Sequence, residues 1–333
     1  MQKKIINIIT YILTLCLCVF LIWYSLKDLK QEDIDKIKEA ISKAKYILLI
    51  PILIMGFISH WSRAVRWKYL MEPLGYFPKT SNTFFAVMIG YLANLALPRL
   101  GEVLKCTILA KYEKVPADKL VGTIIAERAF DMLCLLILFV VTFLVQMDLA
   151  NSYLQSLIAR FKNKEGDPNH TGIIVLSVIG ILILMSFIFR KKIANISFVQ
   201  KLKKIFTNIL SGIMSFKNMK NKKGFIFHTF LIWSMYFSMI MLGFLSIQET
   251  SMLTYKTVFS VLSFGSVGMI VTPGGIGAYT LLVQEIVSLY GIETAISVAI
   301  SWIIWLVPTC IILIGGTISL ILLPIFNKNK HAE

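Results

Sequence analysis

Long runs of apolar residues dominate the chain, and only short polar segments separate them. Six runs are long enough to cross a membrane as helices, which takes roughly 20 residues each. They cover residues 5–26, 46–67, 120–147, 172–189, 225–247 and 295–326. Two further apolar stretches, 82–111 and 256–290, are interrupted by proline and glycine. The pattern predicts an all-α polytopic membrane protein with about six full spans and two broken hairpins.

Each hairpin is interrupted near its middle. The first break is Leu97-Pro98-Arg99-Leu100-Gly101-Glu102, and the second is Val271-Thr272-Pro273-Gly274-Gly275-Ile276-Gly277. Proline removes a backbone donor, and glycine adopts turn conformations that other residues resist. Backbone that is broken at membrane depth persists only where protein or a wet cavity satisfies its polar groups. Both hairpins are therefore predicted to be re-entrant, with their tips near the midplane.

The order span, span, hairpin, span occurs twice in the chain. Residues 1–150 form the first copy and residues 151–333 the second, within one transmembrane domain. Three crossings per copy would invert the second copy relative to the first. Inverted repeats whose broken helices meet at the midplane are an architecture of transporters. The hydropathy pattern thus favours transport.

The net charge of +16 is concentrated in short loops between apolar runs. The linker 190–224 carries ten basic residues and no acidic residue, which predicts a cytoplasmic location for it and for both termini. Its apolar residues recur at helical spacing. They predict an amphipathic helix, either on an anionic inner leaflet or packed on the spans. This distribution argues against a nucleic-acid partner.

Charged residues inside membrane segments are costly and are therefore candidates for function. Three cations suit an anionic lipid headgroup: Arg99, Lys105 and Arg128. Three carboxylates suit a cation or a coupling proton: Glu102, Glu127 and Asp131. The alternative is that these residues pair with one another as buried ion pairs that orient the first hairpin.

The second hairpin offers backbone groups rather than charges. Gly274, Gly275 and Gly277 precede a half-helix whose free amides and positive dipole end can bind a phosphate. Tight helix packing is the alternative reason for these glycines.

An aromatic and basic segment ends the second span. Arg63, Arg66 and Trp67 are predicted to be interface anchors, with the arginines reaching toward water. Binding of a lipid headgroup is the alternative role.

Four motifs carry a resemblance to a known family. They are Arg63-Ala64-Val65-Arg66-Trp67, Pro98-Arg99-Leu100-Gly101-Glu102, Glu127-Arg128-Ala129-Phe130-Asp131 and Thr272-Pro273-Gly274-Gly275-Ile276-Gly277. In this order they resemble the lysylphosphatidylglycerol synthase transmembrane-region family, which includes the membrane half of the multiple peptide resistance factor. The resemblance implies a flippase-like protein of a bacterial or archaeal cytoplasmic membrane. The chain ends at Glu333, soon after its last apolar run, so no aminoacyl-transferase domain and no aminoacylation are expected.

The function predicted from these features is movement of a lipid between leaflets. The expected partner is a membrane phospholipid or a polyprenyl-linked lipid, together with a separate lipid-modifying enzyme. No phosphate loop for ATP and no cysteine or histidine spacing of a metal site occurs, so neither a metal nor another cofactor is predicted. The alternative is a membrane-embedded transferase, or its accessory subunit, in lipid or glycolipid synthesis.

Overall fold

A computed structural model describes residues 2–97, 100–147, 217 and 219–328, with side chains from residue 11 onward. These ranges contain ten α-helices and no strand. The helices are α1 Gln2–Leu26, α2 Gln31–Ser42, α3 Leu49–Met71, α4 Thr80–Ala96, α5 Leu100–Glu113, α6 Ala117–Val145, α7 Lys222–Ser246, α8 Tyr255–Val271, α9 Ala278–Leu289 and α10 Thr294–Phe326. Short 3-10 turns occur at Tyr46–Leu48, Glu72–Leu74 and Pro273–Gly275.

Four of the predicted spans coincide with helical stretches that are long and apolar enough to cross a membrane. They are Tyr46–Leu74, Ala117–Val145, Lys222–Ser246 and Thr294–Phe326. The first apolar run differs, because Tyr11–Leu26 meets this test only together with α2, which bends away by 98°. The predicted span 172–189 and most of the linker 190–224 lie outside the described residues.

Both hairpins are broken where the sequence predicts a break. Helix α4 ends at Ala96 and α5 begins at Leu100, and α8 ends at Val271 before α9 begins at Ala278. The two helices of each hairpin pack against each other. Glycine permits this close approach, since an added Cβ on Gly101 would collide with a carbonyl of α4.

The second break lies against the end of α4, the first arm of the first hairpin. A Cβ added to Gly274, in the second break, would collide with Leu95 near the end of α4. The indole Nε1 of Trp305 on α10 donates a hydrogen bond to the carbonyl oxygen of Gly274, at 2.8 Å. The tip of the second hairpin is therefore fixed between α4 and α10.

Two hydrophobic cores hold the helices together. The core around the first hairpin includes Trp67, Met88, Leu109, Leu120 and Phe225. The core around the second hairpin includes Phe244, Val258, Val261, Val287 and Ile300. Helix α3 packs along α7 and also against α6, so these three helices are neighbours.

The helix order of the described residues repeats itself. A span, a broken hairpin and a span follow one another in α3 to α6 and again in α7 to α10. The first arms of the two hairpins, α4 and α8, are both 17 residues long. The inverted orientation of the two copies in a membrane stays a prediction.

Candidate functional site

Seven charged side chains from α3, α5 and α6 form one connected group, which we call the charge cluster. Its members are Arg63, Arg66, Glu102, Lys105, Glu127, Arg128 and Asp131. Residues three or four positions apart share a helix face. The pairs Arg63 and Arg66, Glu102 and Lys105, and Glu127 and Asp131 therefore each share one face of their helix.

Glu127 lies at the centre of the charge cluster and is fully buried. Its Oε1 atom is 3.4 Å from Arg63 Nη1 and 3.4 Å from Arg66 Nη2. Its Oε2 atom accepts a hydrogen bond from Lys105 Nζ at 3.2 Å. Glu127 comes ten residues after the start of α6, so it lies about 15 Å along that helix. One carboxylate thus meets three cations well inside the helix bundle.

Asp131 binds the same two arginines one helical turn further along α6. Arg63 Nη1 donates to Asp131 Oδ2 at 2.9 Å, and Arg66 Nη2 donates to Oδ1 at 2.7 Å. Two residues of α7 add weaker contacts, with Tyr236 Oη 3.3 Å from Arg63 and Thr229 Oγ1 3.4 Å from Arg66. These bonds fix α3 against α6 and α7.

Arg128 and Glu102 form the accessible end of the charge cluster. Arg128 Nε is 3.2 Å from Glu102 Oε1, and the two side chains are 40% and 35% exposed. Arg128 Nη1 also lies 3.9 Å from Asp131 Oδ2, so this pair is continuous with the buried part. This pair is therefore the partly exposed end of the charge cluster.

Arg63, Arg66 and Trp67 are not surface anchors. Arg66 and Trp67 are fully buried, and Arg63 is nearly so, whereas an anchoring side chain extends its polar end into water. Trp67 donates to Thr123 Oγ1 at 2.9 Å, and its ring lies 4.3 Å from Lys105 Nζ. The two arginines belong to the charge cluster because α6 supplies carboxylates directly opposite them.

The charge cluster carries more positive than negative groups. Among the described residues it combines four cations, on Arg63, Arg66, Lys105 and Arg128, with three carboxylates. With all groups ionised, one positive charge has no counterpart among the described members of the cluster. A buried uncompensated charge is costly, so the cluster favours binding of an anion.

The glycines of the second break are explained by packing. Gly274, Gly275 and Gly277 have φ values of 59°, 74° and 76°, which other residues rarely adopt. A Cβ added to Gly277 would lie 2.9 Å from the carbonyl oxygen of Cys18 on α1. Helix α1 therefore covers the start of α9, where the sequence predicts an open phosphate site. The charge cluster remains the better candidate for binding an anion.

The structure brings together most of the charged residues that the sequence singles out. Lys105, Arg128, Glu102, Glu127 and Asp131 all belong to the charge cluster. Pro98 and Arg99 lie outside the described residues.

Neutral partners of the arginines are not evident from the sequence. Tyr236, Thr229 and Tyr91 lie in apolar runs, where tyrosine and threonine are also common as packing residues. Only the contacts of α4 and α7 with α3 identify them.

Comparison with known proteins confirms the family that the motifs resemble. Residues 8–316 match the family described as "Lysylphosphatidylglycerol synthase TM region". The chain belongs to this family. It is 23% identical over 322 residues to "UPF0104 membrane protein MJ1595" of Methanocaldococcus jannaschii, a match that covers 87% of this chain and 89% of that protein. No solved structure matches the chain significantly.

Family membership and the apolar helices together establish a multi-pass membrane protein. The charge cluster therefore belongs to a membrane protein of the lysylphosphatidylglycerol synthase transmembrane-region family. A charged group within a membrane segment marks a substrate or ion pathway in many membrane proteins.

Proposed function

We propose that this protein is a lipid translocase, which moves an anionic or aminoacylated phospholipid, or a related lipid-linked intermediate, between membrane leaflets. One observation carries the proposal. A buried cluster of four cations and three carboxylates lies between apolar helices of a membrane protein and has one accessible end.

The chemistry of the charge cluster suits a phosphate-bearing headgroup. Such a headgroup is insoluble in the hydrocarbon core and needs charged or hydrogen-bonding partners along its route. Guanidinium groups bind phosphate with two parallel hydrogen bonds, and an ammonium group adds a compact positive charge. Arg128 and Lys105 supply one group of each kind.

The exposed pair provides an entry step. A headgroup phosphate can compete with Glu102 for Arg128, because that pair is partly exposed and is held by a single close contact of 3.2 Å. The released Glu102 carboxylate would then be free to pair with the ammonium of an aminoacylated headgroup. The buried Glu127 and Asp131 keep the remaining cations in position when no lipid is bound.

The hairpins supply a place where the membrane helices are interrupted. Broken helices that meet near each other are typical of transport sites. Here the tip of the second hairpin contacts α4, whose Tyr91 stacks on Arg63 of the charge cluster at 5.7 Å. We infer that the headgroup moves beside these breaks while its acyl chains remain in lipid.

The leaflet distribution of lipids in cells tests this function. A strain without the gene is complemented with the wild type, with Lys105→Met or with Lys111→Met, and outer-leaflet phospholipids are then quantified by an impermeant reagent. Lys111 is an exposed lysine on the same helix and serves as the matched control. We expect the wild type and Lys111→Met to restore the distribution of an anionic lipid and Lys105→Met to fail. An unchanged distribution in the deleted strain would contradict the proposal.

A further inference from the structure

Three nitrogen atoms on α3 are buried and have no hydrogen-bond partner among the residues that the structure describes: His60 Nδ1, Arg63 Nε and Arg66 Nε. His60 is only 6% exposed, so water does not reach it freely. Buried polar atoms are nearly always paired, and an unpaired one calls for a specific explanation. A ligand that accepts hydrogen bonds is one such explanation.

His60 and Arg63 face the same aromatic ring. They are three residues apart on α3 and so share a face of that helix. The ring of Tyr91 on α4 lies 5.1 Å from the imidazole of His60 and 5.7 Å from the guanidinium carbon of Arg63. Arg66 is directed elsewhere, since its guanidinium lies 5.6 Å from the ring of Phe225. The unpaired atoms of His60 and Arg63 therefore belong to one small region between α3 and α4.

We propose that His60 Nδ1 and Arg63 Nε bind the phosphodiester group of a lipid headgroup. That this phosphate belongs to a lipid rests on the proposed function. Phosphate oxygens accept hydrogen bonds from Arg63 Nε and, in the imidazole tautomer that carries its proton on Nδ1, from His60. The excess positive charge of the charge cluster favours an anion at this point. His60 is then a headgroup-binding residue beside the ion pairs.

The second described histidine provides an internal comparison. His228 on α7 lies in the same part of the bundle, but its Nδ1 atom is 2.7 Å from the hydroxyl of Ser62. This imidazole already has a partner within the protein. The unpaired nitrogen of His60 is thus not a general property of the histidines that the structure describes.

Equilibrium binding to the purified protein in detergent tests the inference. The probes are short-chain phosphatidylglycerol, diacylglycerol with the same chains, and inorganic phosphate. His60→Leu removes the donor, His60→Asn restores an amide donor near the position of Nδ1, and His228→Leu is the matched control. Loss of a hydrogen bond to a charged group weakens binding about ten- to a hundredfold.

The expected result is that His60→Leu shows this loss for phosphatidylglycerol, whereas His60→Asn and His228→Leu bind it like the wild type. Phosphatidylglycerol affinity of His60→Leu equal to that of the wild type would overturn the inference. If inorganic phosphate binds as tightly as phosphatidylglycerol, the bound phosphate need not come from a lipid, and that part of the inference is overturned. If diacylglycerol binds as tightly as phosphatidylglycerol, the phosphate has no role in binding.

A measurement on the wild type applies if His60→Leu fails to fold. The 15N resonance of His60, assigned by its disappearance in His60→Asn, should shift when phosphatidylglycerol is added, and an unmoved resonance refutes the contact. The two proposals also fail separately. If the protein moves lipid but His60 has no role in binding, only this inference is refuted. If binding depends on His60 but the protein moves no lipid, only the translocase proposal is refuted.

Discussion

The unequal number of charges in the charge cluster predicts opposite outcomes for two substitutions that each remove one charge. Glu127→Gln removes a carboxylate and leaves four cations facing two acids. Lys105→Met removes a cation and leaves three charges of each sign. If the excess positive charge is real, the first change increases an electrostatic cost and the second relieves it.

The contacts of each residue set the size of these effects. Glu127 lies 3.2 to 3.4 Å from three cations and is fully buried. Removing one partner of a buried ion pair typically costs 3–5 kcal/mol, so we expect Glu127→Gln to lose about 3–5 kcal/mol of stability. Lys105→Met leaves Glu127 with both arginines. It forfeits a buried cation–π contact with Trp67 that is worth about 2 kcal/mol, of which a thioether contact regains part. We expect a loss below about 2 kcal/mol.

Unfolding of the purified variants in one detergent, followed by thermal or denaturant midpoints, measures the difference. Lys111→Met is the control for replacing a lysine of α5 by methionine. The charge argument predicts that Glu127→Gln has a clearly lowered midpoint and that Lys105→Met stays near the wild type. A Lys105→Met protein as unstable as Glu127→Gln would show that Lys105 is needed as a structural ion pair. The inference of an unmatched positive charge would then be refuted.

Three further predictions concern other parts of the molecule. Gly277→Ala should lower stability by about 1–3 kcal/mol in the unfolding assay, because it adds a collision with α1 to an unfavourable positive φ. Gly291→Ala is the control, since Gly291 has a φ of 84° and open space around it. This control should cost only the backbone strain. Glu102→Gln and Arg128→Gln should show a coupling free energy of unfolding of less than about 1 kcal/mol in a double-mutant cycle, because both side chains are partly exposed. Each substitution alone should nevertheless slow lipid movement in reconstituted vesicles. Single cysteines within 195–223, placed in a cysteine-free background, should resist an impermeant thiol reagent in intact cells, because the basic charge of this linker predicts a cytoplasmic location. Labelling there would contradict the topology.

The breaks of the two hairpins were predictable because their cause is local. Pro273 and the neighbouring glycines end α8 through the geometry of their own backbone, whatever surrounds them. The same holds for four of the spans, whose length and hydropathy need no partner, but not for the first apolar run. Helix α2 was harder to predict, since its charged residues resemble those of a solvated loop and only its packing against α10 gives it a fixed position.

The candidate site was only partly predictable because its contacts join distant segments. Arg63 and Arg66 lie near one end of a span, where an arginine can either reach water or pair with an acid. The decision depends on whether α6 places Glu127 and Asp131 opposite them, and sequence spacing within one helix cannot show this. Likewise, the break at Gly277 follows from the sequence, but the burial of this glycine beneath α1 does not.

The most direct test of the translocase is the rate of lipid movement in reconstituted vesicles. Purified protein is incorporated into vesicles that contain headgroup-labelled phosphatidylglycerol, and the label in the outer leaflet is destroyed with an impermeant reagent. We predict that wild type and Lys111→Met make the inner-leaflet label accessible and that Lys105→Met, with its fold intact, resembles protein-free vesicles. Label that stays protected in the presence of folded wild type, or that is released equally by Lys105→Met, would contradict the account.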